Sequence, residues 1–308
     1  MTYEIVNLVK RYCGTATAAN DGISLTVRQG EVFGMLGPNG AGKTTLVRQM
    51  AGLIKPTSGE LRLFGHDLIA EPWRAPDWVA MQLQGATLPR FETPRSLIAR
   101  TGELRGLSET AARREAEALL AEFRLPAHAG KRMHLLSGGL HRLVAIATAL
   151  VGGRPVLIFD EPTNDLDPEI RRVVWERIRT CARDGATVIL VTHNVVEAEQ
   201  ALDRVAIIRA GRVLAMGTPA DLKGLVAKNV RLELALRPGA DPGPVLAGWP
   251  AVQPLGAHRF AVTVPREAAQ GAMVRLTGHL DQVEDFRVVT PNLEDVYIEL
   301  SGGERLAG

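Results

Sequence analysis

Apolar and polar residues alternate along residues 3–9 and again along 23–27, the two-residue period of half-buried strands at the border of a domain. Residues 32–36 form a short apolar run that leads into a glycine-rich loop and then Lys43-Thr44-Thr45-Leu46-Val47. That succession predicts strand, turn and helix. Between about 93 and 125 the spacing becomes helical, with Leu97, Ile98, Thr101 and Leu104 expected on one apolar face and Ala116, Leu119, Leu120 and Phe123 on another. Residues 143–151 read as a further helix, and 156–159 and 188–191 as wholly apolar strands of a parallel sheet buried on both faces. Past residue 223 the texture changes. Residues 231–236 and 260–264 alternate as strands, and the proline- and glycine-rich stretch 238–254 is expected to be a loop between them. A domain boundary is expected near 220–228. The chain shows no internal repeat, and the Gly-Lys-Thr loop occurs once.

Composition narrows the class. With 308 residues the length suits about two domains, and 46% hydrophobic with 23% charged residues is ordinary for a folded globular protein. Lys and Arg number 36 against 34 Asp and Glu, a net charge of +2. No basic run exceeds two residues, so no dedicated nucleic-acid surface is expected. The longest stretch without a charged residue, 242–258, contains Pro242, Pro244, Pro250 and Pro254 and does not read as a membrane-spanning helix. The first residues lack the basic-then-apolar pattern of a secretory leader. Cys13 and Cys181 belong to no motif and are expected to be small buried or semi-exposed residues. A reducing cytoplasm is the expected setting.

The segment Gly37-Pro38-Asn39-Gly40-Ala41-Gly42-Lys43-Thr44 matches G-x-x-x-x-G-K-[ST] in full. Its glycines let successive backbone N–H groups point at phosphate oxygens, and the following helix adds its positive end. Lys43 supplies a mobile charge to the β- and γ-phosphates, and the Thr44 hydroxyl is a ligand for Mg²⁺. Asp160-Glu161 follows the apolar run 156–159, which predicts carboxylates at the C-terminal end of a buried strand, where ligands bind in open α/β sheets. There Asp160 would hold Mg²⁺ through water, and Glu161 would take a proton from an attacking water. Leu136-Ser137-Gly138-Gly139 precedes a helix and forms a second small anion nest. A second nest is useful if it closes on a nucleotide held by another copy of the chain.

In this order and at these spacings, the loop, residues 136–139 and 156–161, Asn164-Asp165-Leu166-Asp167 and His193 resemble the ATP-binding subunit of an ABC transporter, over about residues 1–220. The resemblance implies an α/β P-loop NTPase core with a mostly parallel sheet, an N-terminal antiparallel β subdomain and a helical subdomain at about 85–150. Residues 1–222 would form this ATP-binding domain, and 228–308 a small C-terminal α+β domain. It implies that Gly37, Pro38, Asn39, Gly40, Ala41, Gly42, Lys43, Thr44 and Thr45 hold ATP, that Tyr12 stacks on adenine, and that Thr44, Asp160 and Gln84 surround Mg²⁺. Gln84 would also contact the attacking water and sense the membrane partner; Gln82 would take that place under a two-residue shift in alignment. Ser137, Gly138 and Gly139 would touch ATP across a dimer, Asp167 would couple the two sites, and His193 would hydrogen-bond the γ-phosphate. Leu140 departs from the pattern, standing where many members carry glutamine.

Residues 290–297 resemble the closing segment of ATPases paired with ABC-2-type exporters, including drug and antibiotic resistance systems. There Pro291 would end an extended stretch and start a helix whose first turn carries Glu294 and Asp295, with Val296 and Ile298, Glu299 and Leu300 facing a neighbour. The implied partners are a second copy of the chain and a separate transmembrane permease, with no nucleic acid. The implied place is the inner face of the cell membrane, and the implied work is export of a drug, antibiotic or lipid-like compound. The alternative is a soluble ABC ATPase acting on ribosomes or DNA; such proteins usually carry two cassettes or a long coiled coil, and this sequence shows neither.

Overall fold

The computed structural model describes residues 1–83, 85, 88–192, 199–226, 229–289 and 292–300. The chain separates into a unit of Met1–Pro219 and a second that begins at Ala220. The first unit opens with β1 (Tyr3–Lys10), β2 (Asn20–Val27), β3 (Val32–Leu36), α1 (Lys43–Met50), β4 (Ser58–Leu63), β5 (His66–Asp67), α2 (Ala75–Trp78) and β6 (Val79–Gln82). It continues through α3 (Pro94–Leu104), α4 (Glu109–Glu122), α5 (Gly138–Leu150), β7 (Val156–Asp160), α6 (Pro168–Arg183), β8 (Thr187–Val191), β9 (Arg204–Arg209) and β10 (Arg212–Gly217).

Alternation in the first strands buries Tyr3, Ile5 and Leu8 of β1 and Ile23, Leu25 and Val27 of β2. These strands belong to an antiparallel four-stranded sheet ordered β2-β1-β4-β5. A six-stranded sheet follows, ordered β10-β9-β3-β8-β7-β6 and parallel throughout except for β10, which folds back on β9. Every residue of β3, β7 and β8 is buried, as the uninterrupted apolar runs require of parallel strands covered on both faces. Parallel register carries the C-terminal ends to one edge: Met35 and Asp160 flank Val191, and Gln82 lies beside Phe159. Loops leaving that edge bear the functional residues in sheets of this kind.

Helix starts follow the sequence. Thr93 Oγ1 accepts from Ser96 N at 3.2 Å ahead of Pro94, and Ser108 Oγ accepts from Ala111 N at 3.3 Å ahead of Glu109. The inward face of α3 differs from the one expected. Ile98 is buried, but Leu104 is 83% exposed, and Pro94, Ala99 and Gly102 complete the buried face instead. A side chain added at Gly102 would meet Val151 Cγ2 at 3.0 Å and Ala112 Cβ at 3.1 Å, so close approach selects small residues where periodicity favours large ones.

The second unit contains α7 (Pro219–Val226, whose first residue belongs to the first unit), β11 (Asn229–Leu236), α8 (Pro242–Leu246), β12 (Val252–Gly256), β13 (Arg259–Pro265), α9 (Ala269–Thr277), β14 (Val283–Val289) and α10 (Leu293–Leu300). Its antiparallel sheet runs β12-β13-β11-β14. Leu232, Leu234, Leu236, Val262 and Val264 pack there with Trp249 and with Ala272 and Leu276 of α9. Residues 238–254 are not a plain loop: they contain α8 and the start of β12. Asp241 caps α8 by accepting from Gly243 N at 2.9 Å with Pro242 in the first turn, and Pro254 is tolerated because β12 is an edge strand.

Asn292 Oδ1 accepts from the backbone N–H of Glu294 and Asp295, and Asp295 Oδ2 accepts from Asn292 N, a reciprocal cap for α10. Pro291 lies outside the described residues. Val296, expected to face a neighbour, is fully buried within the chain together with Leu293 and Tyr297, while Ile298 is half-buried and Glu299 and Leu300 are exposed. Cys13 is exposed and Cys181 half-buried. No described helix is long and apolar enough to cross a membrane.

Candidate functional site

Residues 37–42 bridge β3 and α1, and two glycines fix their path. A Cβ on Gly37 would lie 2.1 Å from Ile208 O of β9, and one on Gly42 (φ +99) would lie 2.1 Å from Ala19 O. Asn20, fully buried at the start of β2, donates Nδ2 to Gly42 O at 3.1 Å and accepts from Gln49 Nε2 of α1 at 2.6 Å. Gly42 is the N-cap of α1 and is held there in a left-handed conformation. Sequence reasoning missed Asn20 and Gln49, since a polar residue opening a strand and a glutamine in a helix ordinarily face water. Gly42→Ala is expected to abolish measurable nucleotide binding and lower the melting temperature. Gly40→Ala, with φ +79 but open space around it, should cost only the left-handed strain of about 1–2 kcal/mol. Titration with a fluorescent ATP analogue compares the two, and equal binding would disprove the steric account.

Lys43 Nζ donates to Gly37 O at 2.6 Å and to Pro38 O at 2.9 Å, curling the side chain back over its own loop. Burial lowers its pKa, opposed by the charges of Glu161 and Asp160. Thr44 Oγ1 donates to Asp160 Oδ2 at 3.2 Å. Asp160 is buried at the end of β7, and burial raises its pKa while the Thr44 hydrogen bond pulls it down. Glu161 turns the chain out of the sheet at φ +53, its N–H donating to Val191 O at 2.8 Å, and its Oε2 accepts from Thr192 Oγ1 at 3.2 Å. A left-handed glutamate is a strained backbone of the kind found at reactive positions. Residues 39–45, Ala19, Asp160, Glu161 and Val191 together line one cleft.

That cleft pairs N–H groups and an ammonium, suited to phosphate oxygens, with carboxylates suited to a cation and to proton transfer. No group of three or more His, Cys, Asp or Glu forms a metal cage among the described residues. Thr44 and Asp160 supply two hard oxygens, which fits a Mg²⁺ whose remaining ligands are phosphate oxygens and water. Gln82 Nε2 donates to Leu83 O at 3.1 Å and Asp160 O at 3.2 Å, so its amide ties β6 to β7. Gln84 and His193 lie outside the described residues. Tyr12 lies exposed just past β1, with Lys10 Nζ 5.2 Å from its ring centre, and does not line the cleft.

Ser137 caps α5, its Oγ accepting from Leu140 N at 3.4 Å. Arg142, one turn further, donates to Asn164 O and to Asp165 Oδ2, fastening α5 to the loop before α6. Its signal was visible only as a basic residue interrupting an apolar helix. Asp167 is the N-cap of α6 but makes no side-chain capping bond, with Pro168 next in the helix. Ser137, Gly139, Leu140, Asp165 and Asp167 line a second cavity that shares no residue with the phosphate-loop cleft. Within one chain, therefore, residues 39–45 of the loop and Ser137 and Gly139 line different cavities.

Comparison with known proteins shows the family to which the chain is similar. The family described as ABC transporter matches residues 20–164. The chain is 35% identical over 292 residues to the daunorubicin resistance ATP-binding protein DrrA3 of Streptomyces coeruleorubidus, covering 93% of this chain and 92% of that one. It is 35% identical over 305 residues to the Nod factor export ATP-binding protein I of Paraburkholderia xenovorans (strain LB400), covering 96% of each. A solved structure of the ATP-binding subunit of an ABC transporter superposes with a TM-score of 0.68 at 30% identity, over 73% of this chain and 93% of that one.

Proposed function

The chain belongs to the ABC transporter family as one of its ATP-hydrolysing subunits, and on that premise we propose how its residues divide the work. Two copies enclose two ATP, each nucleotide joining the phosphate loop of one copy to Ser137, Gly138 and Gly139 of the other. The observation that carries this reading is the separation of those two elements into different cavities of a single chain. The N–H groups of Gly37, Asn39, Gly40, Ala41, Gly42, Lys43, Thr44 and Thr45 surround the phosphates, Pro38 shapes the loop without donating, and Lys43 exchanges its carbonyl partners at Gly37 and Pro38 for phosphate oxygens. Thr44, Asp160 and Gln84 would hold Mg²⁺, which would offset phosphate charge.

Glu161 accepts a proton from the attacking water, its carboxylate steadied by Thr192. His193 hydrogen-bonds the γ-phosphate, Tyr12 stacks on adenine, and Asp167, whose side chain is not spent on capping α6, couples the two sites. Loss of the γ-phosphate removes the bridge and the dimer opens, moving a separate permease at the cytoplasmic face of a membrane. The relatives named for drug resistance and Nod factor export support export of a drug-like, antibiotic or lipid-like compound.

The test is affinity purification of the tagged chain from its native cells in mild detergent. An integral membrane protein should come with it and raise its ATPase rate several-fold. Recovery with ribosomes or DNA, with no membrane protein, would replace export by the soluble alternative.

A further inference from the structure

Among the described residues, β12 and β14 are the edge strands of the second unit's sheet. On β12, Pro254 removes a backbone donor, a feature that blunts an edge, and both edge ladders shift register once, after Pro254 on β12 and at Glu284 on β14. β14 has neither proline nor glycine, and residues 284–288 are all exposed in succession. Phe286, 39% exposed, stands opposite Leu234 and Val288, 47% exposed, opposite Leu232, so both lie on the core face of the sheet at its uncovered margin. Asp285 and Arg287 point to the other face and pair with each other at 3.4 Å, both side chains more than half exposed.

From this edge we infer that β14 joins the β14 of a second copy of the chain, antiparallel and centred on Phe286, to make one continuous sheet across a two-fold axis. The sequence of the strand is self-complementary in that register alone. Phe286 meets its twin on the apolar face, Asp285 meets Arg287 twice on the polar face, and Glu284 lies beside Val288. Moving the two-fold centre by one residue sets Asp285 against Asp285 or Arg287 against Arg287 and removes both opposite-charge pairs. Both the backbone groups of the edge and the exposed Phe286 gain partners, which answers the two unmet needs of the strand together.

This contact is independent of nucleotide, so it stands or falls separately from the ATP-bridged dimer. By sedimentation velocity without nucleotide, the full chain is expected to self-associate reversibly with a dissociation constant on the order of 10–100 μM, as suits a small interface. Asp285→Arg should weaken association about tenfold or more, and Asp285→Arg combined with Arg287→Asp should restore it. In a Cys13→Ser background, Phe286→Cys should form an intermolecular disulfide with diamide, because its β-carbons would be about 4.5–5.5 Å apart across the axis, whereas Glu284→Cys should not. A chain that stays monomeric at about 200 μM, twice the top of that range, overturns the inference. So does a dimer indifferent to Asp285→Arg, or equal cross-linking from both cysteine positions. The ATP-dependent association of Glu161→Gln is measured beside it, and either dimer can fail alone.

Discussion

Glu161→Gln is expected to bind ATP as tightly as the native chain while turnover falls by about 100- to 10,000-fold, the range for loss of a general base. The amide keeps the size of the carboxylate, and its oxygen still accepts from Thr192 Oγ1, so the backbone turn at φ +53 and the buried setting are preserved. What it loses is the capacity to take a proton. ATP then persists as the bridge between copies, and the variant should accumulate as an ATP-dependent dimer in size-exclusion chromatography with light scattering. Native-like hydrolysis would remove Glu161 from the role of base.

Lys43→Ala is the second large effect. A charged donor to phosphate contributes on the order of 1.5–3 kcal/mol, so ATP affinity should drop by about 10- to 150-fold in calorimetric titration. Fold stability should change far less than affinity, because Lys43 lines an open cleft and water entering it can replace the ammonium at Gly37 O and Pro38 O. Lys43→Arg should not rescue binding: a planar fork does not take the place of a compact ammonium folded over its own loop. An unchanged dissociation constant in Lys43→Ala would exclude the residue from the site.

The parts that were legible in the sequence share a property: their chemistry is written in adjacent residues. The phosphate loop, the carboxylates after 156–159 and the Ser-Gly-Gly cap need no knowledge of distant packing, and the apolar runs of β3, β7 and β8 mark a buried parallel sheet by themselves. What escaped depends on neighbours far along the chain. Gly102 and Ala99, rather than Leu104, face inward on α3 because Val151 and Ala112 press too close for a larger side chain. Asn20 is a core residue because Gly42 and Gln49 use both ends of its amide. Pro242 and Pro254 read as loop residues, yet one opens a helix and the other sits on an edge strand, positions where a missing N–H costs nothing. Val296 shows the reverse error: an apolar residue near the end of the chain looked available to a partner and is covered by the chain itself.

The close approach of Gly37 to Ile208 and of Gly42 to Ala19 reaches beyond sterics. Each ordered residue forfeits about 1–2 kcal/mol of backbone entropy, and here β9 and Ala19, just ahead of β2, exact that loss when the polypeptide folds. Phosphate therefore meets a rigid cradle, and nearly all the attraction of its oxygens for the loop appears as affinity instead of being consumed in ordering the loop. On the proposed reading, nucleotide capture is in this sense a property of the sheet beneath the loop, and substitutions in β9 that loosen Ile208 should weaken it without touching a single phosphate contact.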